Sequence, residues 1–317
     1  MKFSSRALGG ALIGAVLLLA SACAPAGTAA EERQPGQLSI VAAFYPFQFV
    51  AERVAGDHAV VTSLTAPGAE PHDLELTPKQ VASISSADLV IYEKSFQAAV
   101  DEAVAQSGNP NVLDTATVVP LSPLSEADEH DHEQAAEGEE HEHSGLDPHV
   151  WLDPNNMVTI TNAVRDRLIQ IDRAHASDYS GNARELDGQL LSLDKQYRTT
   201  LQTCRLREFI TTHAAFGYLA RRYGLEQVGI NGLSPDSEPS PARIAEVQQI
   251  AREHHVTTIF YETLVSPAVA QSIAGDLGLK TDVLDPIEGI TDSSRGDDYL
   301  SVMASNLTAL TTANGCG

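Results

Sequence analysis

The chain has 317 residues, and its 43 acidic residues outnumber its 20 lysines and arginines, which gives a formal net charge of −23. So acidic a protein lacks the basic surface that binding to a phosphate backbone requires, and we therefore exclude a nucleic-acid partner. The length exceeds that of one typical domain, so we expect two lobes of about 120 to 140 residues each.

The N-terminus is typical of an export signal. Lys2 and Arg6 form a short basic region, and the apolar run over residues 7–20 is too short for a comfortable membrane span. Further along the sequence, no second apolar run is long enough to cross a bilayer. We predict a signal peptide over residues 1–22 and an exported protein.

A lipidation site follows the signal. Small residues lead directly into Cys23, which is the pattern at which bacterial lipoproteins are cleaved and lipidated. Cleavage of an ordinary signal near Ala22 or Ala24 is the alternative. In the first interpretation residues 23–36 form a lipidated tether. The lipid alone would then hold the protein at the outer face of the cytoplasmic membrane.

Strands and helices alternate from residue 37 onward. Residues 38–44 predict a buried strand, and Thr77 followed by Pro78 marks the start of a helix, as an N-cap with proline in the first turn. Such alternation is typical of a parallel sheet with crossover helices. We assign residues 37–175 to an N-terminal α/β lobe.

An acidic, histidine-rich segment over residues 125–146 interrupts this lobe. It carries too few apolar side chains to bury itself, so we predict a loop. Imidazole and carboxylate groups are ligands that zinc prefers, and we predict auxiliary metal contacts, with a solvated acidic linker as the alternative. The histidines of this loop are His130, His132, His141 and His143.

A long helix is predicted over residues 176–203. Leu186, Leu190 and Leu193 recur at the spacing of one apolar helix face. The alternation of strands and helices then returns, and residues 204–317 form a C-terminal α/β lobe. The predicted fold class is therefore α/β, with two lobes, each a small parallel sheet flanked by helices, joined by one long linking helix.

Two cysteines remain after the processing of the signal, Cys204 and Cys316. In an exported protein such a pair most simply forms a disulfide, which would hold a C-terminus that otherwise frays. Free thiols are one alternative. Metal ligation is another, but no Cys-x-x-Cys spacing accompanies the two residues.

Three histidines share a context, because each follows a predicted strand or lies in a tight loop near a strand end: His72, His149 and His213. Ligands of open α/β sheets gather at the carboxyl ends of strands, so two facing edges would bring these imidazoles to one ion. A carboxylate from the second lobe would complete a tetrahedral Zn²⁺ site. The candidates, each at the end of a strand, are Asp285, Glu288 and Glu262.

Four short motifs carry a resemblance to a known family. They are PHDLELTP at residues 71–78, DPHVWLDP at 147–154, HAAFGYL at 213–219 and LSPDSEPSP at 233–241. Together they resemble the metal-binding proteins of bacterial ABC importers, specifically the zinc-binding branch, over residues 38–316. The resemblance implies two α/β lobes with a rigid linking helix, and it implies His72, His149 and His213 as metal ligands. It does not choose between Asp285 and Glu288.

The resemblance also implies a function. It describes an extracytoplasmic, monomeric protein without enzymatic activity, which captures Zn²⁺ as cargo and delivers it to an ABC permease driven by its ATPase. The manganese branch typically carries Glu where this chain has His213, so zinc is favoured and manganese is the alternative. A zinc-dependent hydrolase and a surface adhesin on the same fold are the alternatives from other classes.

Overall fold

The computed structural model describes residues 34–123 and 145–317. The predicted signal peptide, Cys23 and the four histidines of the acidic loop lie outside the described residues. Leu146, which we assigned to the loop, is in fact the first residue of a short strand.

The first sheet has four parallel strands in the order β2-β1-β3-β4. The strands are β1 (Leu38–Ala42), β2 (Ala59–Ser63), β3 (Leu89–Tyr92) and β4 (Val112–Asp114). The helices between them are α1 (Tyr45–Ala55), α2 (Pro78–Ser86) and α3 (Ala98–Ser107). All of β3 is buried, whereas the edge strand β2 is only partly buried, as expected when helices cover a parallel sheet.

Local sequence signals set the start of α2, where the loop after β2 ends. The side chain of Thr77 accepts a hydrogen bond from the backbone of Gln80, and the side chain of Gln80 binds back to the backbone of Thr77. This capping box, with Pro78 in the first turn, satisfies backbone donors that a helix start leaves open. The predicted helix start is confirmed.

Two short antiparallel strands and two long helices follow. They are β5 (Ser122–Pro123), β6 (Leu146–Asp147), α4 (Pro154–Ile171) and α5 (Ala176–Leu201). The linking helix α5 has 26 residues and buries one face, on which Leu186, Leu190 and Tyr197 are fully covered. A continuous apolar stripe of this kind is what the sequence spacing predicts.

The second sheet repeats the parallel arrangement in the order β10-β9-β7-β8. Its strands are β7 (Glu208–Thr211), β8 (Glu226–Gly229), β9 (Thr258–Tyr261) and β10 (Lys280–Val283). Its helices are α6 (Gly217–Tyr223), α7 (Pro241–Glu253), α8 (Ala268–Leu277) and α9 (Tyr299–Asn314). Two parallel sheets flanked by helices and joined by α5 confirm the predicted fold class.

One hydrophobic core runs through both lobes and the linking helix. It joins Phe44 and Trp151 of the first lobe to Leu190 of α5 and to Phe260 and Tyr299 of the second lobe. A smaller core lies elsewhere in the second lobe. Because a shared, close-packed core leaves no water layer between the lobes, they behave as one packed body.

Hydrogen bonds tie the lobes together beside this core. The indole nitrogen of Trp151 donates to the carbonyl of Pro286 at 2.7 Å. The hydroxyl of Tyr299 donates to the carbonyl of Trp151 at 2.6 Å. All three residues lie within the buried interior, so these bonds are shielded from water.

A disulfide joins Cys204 to Cys316, as the cysteine count predicts. Cys316 directly follows the α9 cap, so the bridge fixes the last helix to the start of the second lobe. In the described ranges 34–123 and 145–317, no helix has both the length and the apolar character needed to cross a membrane.

Candidate metal centre

Strand ends bring four donor side chains to one point. His72 lies in the loop after β2, and His149 and His213 each follow a strand by two residues. Glu288 lies in the loop after β10. The carboxyl ends of both parallel sheets therefore contribute, as is usual for ligands of open α/β sheets.

The donor atoms have the spacing of a tetrahedral site. Nε2 of His72 and Nε2 of His149 are each 3.4 Å from Oε1 of Glu288, and Nε2 of His213 is 3.6 Å from the same oxygen. The Nε2 atoms of His149 and His213 are 3.4 Å apart. A tetrahedral zinc ion with ligands at about 2.0–2.1 Å would place its donors about 3.3–3.4 Å apart. The cluster is therefore already close to the geometry that such an ion requires.

The four side chains differ in their access to water. The side chains of His149 and Glu288 are fully buried, and that of His213 is 1% exposed. His72 is 11% exposed and borders a cavity of about 60 Å³, which Phe96 of the first lobe and Leu233 of the second also line. His72 thus forms the outer side of the cluster.

Two carboxylates contact the buried imidazoles at Nδ1, the ring nitrogen that does not face the cluster. Nδ1 of His149 is 2.9 Å from Oδ1 of Asp147, and Nδ1 of His213 is 2.8 Å from Oε1 of Glu262. When the proton on Nδ1 is bound to a carboxylate, the lone pair of Nε2 is free to bind a metal ion. The same hydrogen bond makes Nε2 more basic. This arrangement is typical of histidines that bind metal.

The charges within the cluster shift its pKa values in opposite directions. Burial alone would lower the pKa of His213, but the charge and hydrogen bond of Glu262, together with Glu288, raise that pKa well above its usual value. The pKa of His149 is raised in the same way, because hydrogen bonds to Asp147 and Glu288 outweigh burial. Burial lowers the pKa of His72, despite its hydrogen bond to Glu288.

Glu288 is the negative centre of the group. Burial would raise its pKa, but hydrogen bonds from all three imidazoles hold it well below the usual value. Its second oxygen, Oε2, is buried without a hydrogen-bond partner among the described residues, as is Oε2 of Glu262. The open acceptor of Glu288, which lies among the three imidazoles, fits a cation bound there.

A further acid lies at the edge of the cluster. The backbone N–H of His72 donates to Oε1 of Glu70. Burial and the nearby charge of Glu288 raise the pKa of Glu70 to about 8. At neutral pH this side chain is therefore mostly protonated, which limits the negative charge around the site to Glu288 and the carboxylates behind the imidazoles.

The other two carboxylate candidates lie outside the donor set. Glu262 contacts His213 from the side of Nδ1. Asp285 accepts hydrogen bonds from the backbone of Ile287 at 2.8 Å and from the hydroxyl of Thr263 at 3.1 Å, and burial raises its pKa to about 6. Among the described residues, the group that could hold one metal ion is His72, His149, His213 and Glu288.

A strained turn explains why Glu288 rather than Asp285 reaches the cluster. Ile287 has φ of +61°, a left-handed conformation that is rare for a β-branched residue. The carboxylate of Asp285 stabilises it by accepting the N–H of Ile287. Glu288 follows directly, and Oε1 of its longer side chain lies 3.4–3.6 Å from Nε2 of all three histidines.

Sequence reasoning missed two supporting residues, Asp147 and Glu70. Each precedes a histidine of the cluster by two positions, and each accepts the backbone N–H of that histidine. The Asp-x-His and Glu-x-His patterns were therefore available as a signal in the sequence. Local side-chain bonds to the backbone two residues on are a common property of acidic residues in turns.

The fold and the site together define a class of protein. Two α/β lobes share one core, and they enclose a set of three imidazoles and one carboxylate that could hold a single cation. The comparisons with known proteins then identify the family. The family model described as ZnuA, zinc-uptake complex component A, periplasmic, matches residues 40–313, and the chain belongs to this family.

Characterised relatives are similar over most of the chain. The zinc-binding lipoprotein AdcA of Streptococcus pneumoniae is 39% identical over 309 residues, which cover 93% of this chain and 60% of that protein. The high-affinity zinc uptake system protein ZnuA of Bacillus subtilis is 38% identical, with 94% of this chain and 95% of that protein covered. This chain therefore spans nearly all of the second relative but about 60% of the length of the first.

A solved structure gives the same result for the fold. The crystal structure of Zn(II)-bound AdcA from Streptococcus pneumoniae aligns with a TM-score of 0.73 at 35% sequence identity. The alignment covers 88% of this chain and 58% of that chain. The predicted resemblance to the zinc-binding branch is confirmed.

Proposed function

We propose that this protein captures Zn²⁺ outside the cytoplasm and delivers it to the permease of an ABC importer. The observation that carries the proposal is the buried group of His72, His149, His213 and Glu288, whose donor atoms are spaced for a tetrahedral ion. These four residues are the proposed ligands, and the ion is cargo rather than a resident cofactor.

The donor set favours zinc over manganese. Imidazole nitrogen suits zinc, whereas manganese prefers sites dominated by carboxylate, carbonyl and water oxygen. Three of the four proposed donors are imidazoles, and tetrahedral four-coordination is the usual geometry of zinc. The pneumococcal and Bacillus relatives are both named for zinc.

The same geometry argues against a hydrolase. Catalytic zinc sites use three protein ligands and keep the fourth position open for a water molecule. In the proposed site Glu288 occupies the fourth position, at 3.4–3.6 Å from the donor nitrogen of each histidine. We therefore propose binding and release without catalysis.

The cellular setting rests on the family and on the N-terminus. The family description places its members in the periplasm as part of a zinc-uptake complex, and the pneumococcal relative is named a lipoprotein. Together with the signal pattern before Cys23, this supports export, lipidation of Cys23 and anchoring at the outer face of the cytoplasmic membrane. The proposed partners of the monomer are a permease and its ATPase.

The histidine-rich segment has a separate proposed role as a collector of zinc. Its four histidines would hold zinc weakly and raise its local concentration near the tight site. Deleting residues 126–143 should then slow loading at scarce zinc and leave the affinity of the tight site unchanged. Unchanged growth and zinc uptake of the deletion strain under chelation would contradict this role.

The experiment that tests the main proposal is a zinc titration of the soluble body, residues 37–317. Wild type should bind one tight zinc, and His213→Ala should lose that site. His254→Ala is the control, because His254 is an exposed residue that pairs with Glu208. A tight site that survives His213→Ala, or manganese binding as tight as zinc binding, would refute the proposed ligands and the zinc assignment.

A further inference from the structure

One hydroxyl group connects the second lobe to both short strands of the first. The backbone N–H of Ser122 in β5 donates to the hydroxyl of Tyr218 at 2.8 Å. The same hydroxyl donates to the carbonyl of Asp147 in β6 at 3.0 Å. Tyr218 belongs to α6 and is 7% exposed, so both bonds lie in a largely dry environment.

The carboxylate of Asp147 is held by the same helix. Its Oδ1 accepts the backbone N–H and the ring Nδ1 of His149, at 3.0 and 2.9 Å. Its Oδ2 lies 3.5 Å from the guanidinium of Arg221, which also packs over the ring of Tyr218 at 4.7 Å. A Cβ atom on Gly217 would lie only 2.5 Å from Oδ2, so only glycine leaves room for the carboxylate in this position.

We propose that this face of α6, formed by Gly217, Tyr218 and Arg221, positions His149 through Asp147. Tyr218 is the central positioning residue, because it fixes the backbone of Asp147 while its two neighbours confine the carboxylate. This inference rests on the proposed function, since it assigns His149 as a zinc ligand. It gives a role to the part of the HAAFGYL motif that contributes no donor to the cluster.

One segment, residues 213–218, contributes to the position of two proposed ligands from different lobes. His213 contributes its own Nε2, and α6 begins four residues later. From there Tyr218 reaches across to the strand that precedes His149. The relative position of His149 and His213 therefore depends on the hydroxyl of Tyr218. Their 3.4 Å separation is one edge of the tetrahedron.

Tyr218→Phe tests the inference, because it removes the hydroxyl and keeps the ring. The readouts are zinc affinity by chelator competition and the visible absorption spectrum of the Co²⁺-loaded protein, which reports ligand geometry. We expect zinc affinity to fall by about tenfold, the lower end of the usual effect of losing an outer partner of a metal ligand, because Tyr218 reaches His149 only through Asp147. We also expect the Co²⁺ spectrum to change, which a loss of stability alone would not produce.

Tyr223→Phe is the matched control. It removes a hydroxyl from the same helix, but that hydroxyl bonds to Asp194 of the linking helix at 3.3 Å. Zinc affinity and the Co²⁺ spectrum should stay at wild-type values. If Tyr218→Phe also keeps both wild-type values while wild type binds one tight zinc, the inference is wrong and the proposed function stands. If wild type binds no tight zinc, both are wrong.

Two further comparisons of variants keep the test independent of folding defects. Combining Tyr218→Phe with Asp147→Asn should cost no more affinity than Asp147→Asn alone, because both act on His149 through one chain of contacts. Gly217→Ala should weaken zinc binding, whereas Gly275→Ala in α8 should not, because a Cβ atom there meets no other atom within 4 Å. Fully additive losses in the double variant would overturn the inference.

Discussion

The inner and outer sides of the proposed metal centre are built differently. His149 and His213 are buried, and each has a carboxylate at Nδ1 that fixes its ring. His72 is partly exposed, borders a cavity shared by both lobes and has a lowered pKa. The inner side therefore provides rigid geometry and negative charge. The outer side provides a neutral imidazole that an arriving ion can reach first.

The largest expected loss of affinity comes from the inner carboxylate. Glu288→Gln should weaken zinc binding by about three orders of magnitude, because the ion would lose the one carboxylate of the donor group found among the described residues, in a buried site. Asp285→Asn should weaken it by less than about tenfold, because asparagine can still accept the N–H of Ile287. Chelator competition measures both. Equal losses would show that the turn, rather than the charge, determines affinity.

A smaller loss is expected on the outer side. His72→Ala should weaken zinc binding by roughly 100-fold and should act mainly by speeding release, because three buried donors remain in place. Stopped-flow measurements of zinc transfer to a chelator give the release rate. The control is His255→Asn at an exposed position, because asparagine tolerates the left-handed φ of +56° there. A loss as large as that of Glu288→Gln would remove the distinction between the two sides.

The raised pKa values of the inner imidazoles predict the effect of pH. His149 and His213 hold protons more firmly than free histidine, whose pKa is about 6.5, and zinc must displace those protons. Zinc binding at pH 7 should therefore release about one proton or more, and affinity should fall as the pH is lowered. Calorimetry in two buffers of different ionisation enthalpy measures the release. The release should persist in His72→Ala, since the pKa of His72 is lowered.

The stability of the zinc-free protein should show the opposite dependence on pH. Raised folded-state pKa values mean that protonation of His149 and His213 stabilises the empty fold fully below about pH 6.5, and that this contribution is lost as the pH rises through the folded values. Thermal melts with and without zinc separate the two trends. A zinc-induced stabilisation that did not grow with pH would argue against proton displacement at the inner side.

The smallest effect on zinc affinity is expected from the disulfide. Replacing Cys204 and Cys316 by serine should lower the free energy of unfolding by about 2–4 kcal/mol, since the bridge closes a long loop between residues 112 positions apart. The bridge contacts neither side of the metal centre, so zinc affinity should stay within about twofold. Denaturant titration and chelator competition measure the two quantities separately.

Sequence patterns located most of the site because strand ends are local features. The apolar runs before His72 and His213 marked the strands, and parallel strands bring their carboxyl ends together. The choice between Asp285 and Glu288 does not follow from the position of a strand end. It depends on a left-handed Ile287, a conformation that the residue type disfavours and that only the surrounding contacts stabilise.

Other features could not be predicted from the sequence, for a different reason. No helix was predicted over residues 299–314, because the polar residues Asn306 and Asn314 lie on the buried face of α9 and interrupt its apolar pattern. The bonds of Tyr218 to Ser122 and Asp147 join residues 96 and 71 positions apart. Periodicity reports only on neighbours along one element, so it carries no information about such contacts.

The bonds from Trp151 to Pro286 and from Tyr299 to Trp151 have a consequence for transport. Each lies close in sequence to a proposed ligand, and together with the shared core they hold the two sheet edges close together. Under the proposed function, capture then requires little rearrangement of the two lobes. Under the proposed function, release requires these edges to separate, and we propose that docking of the permease drives that separation.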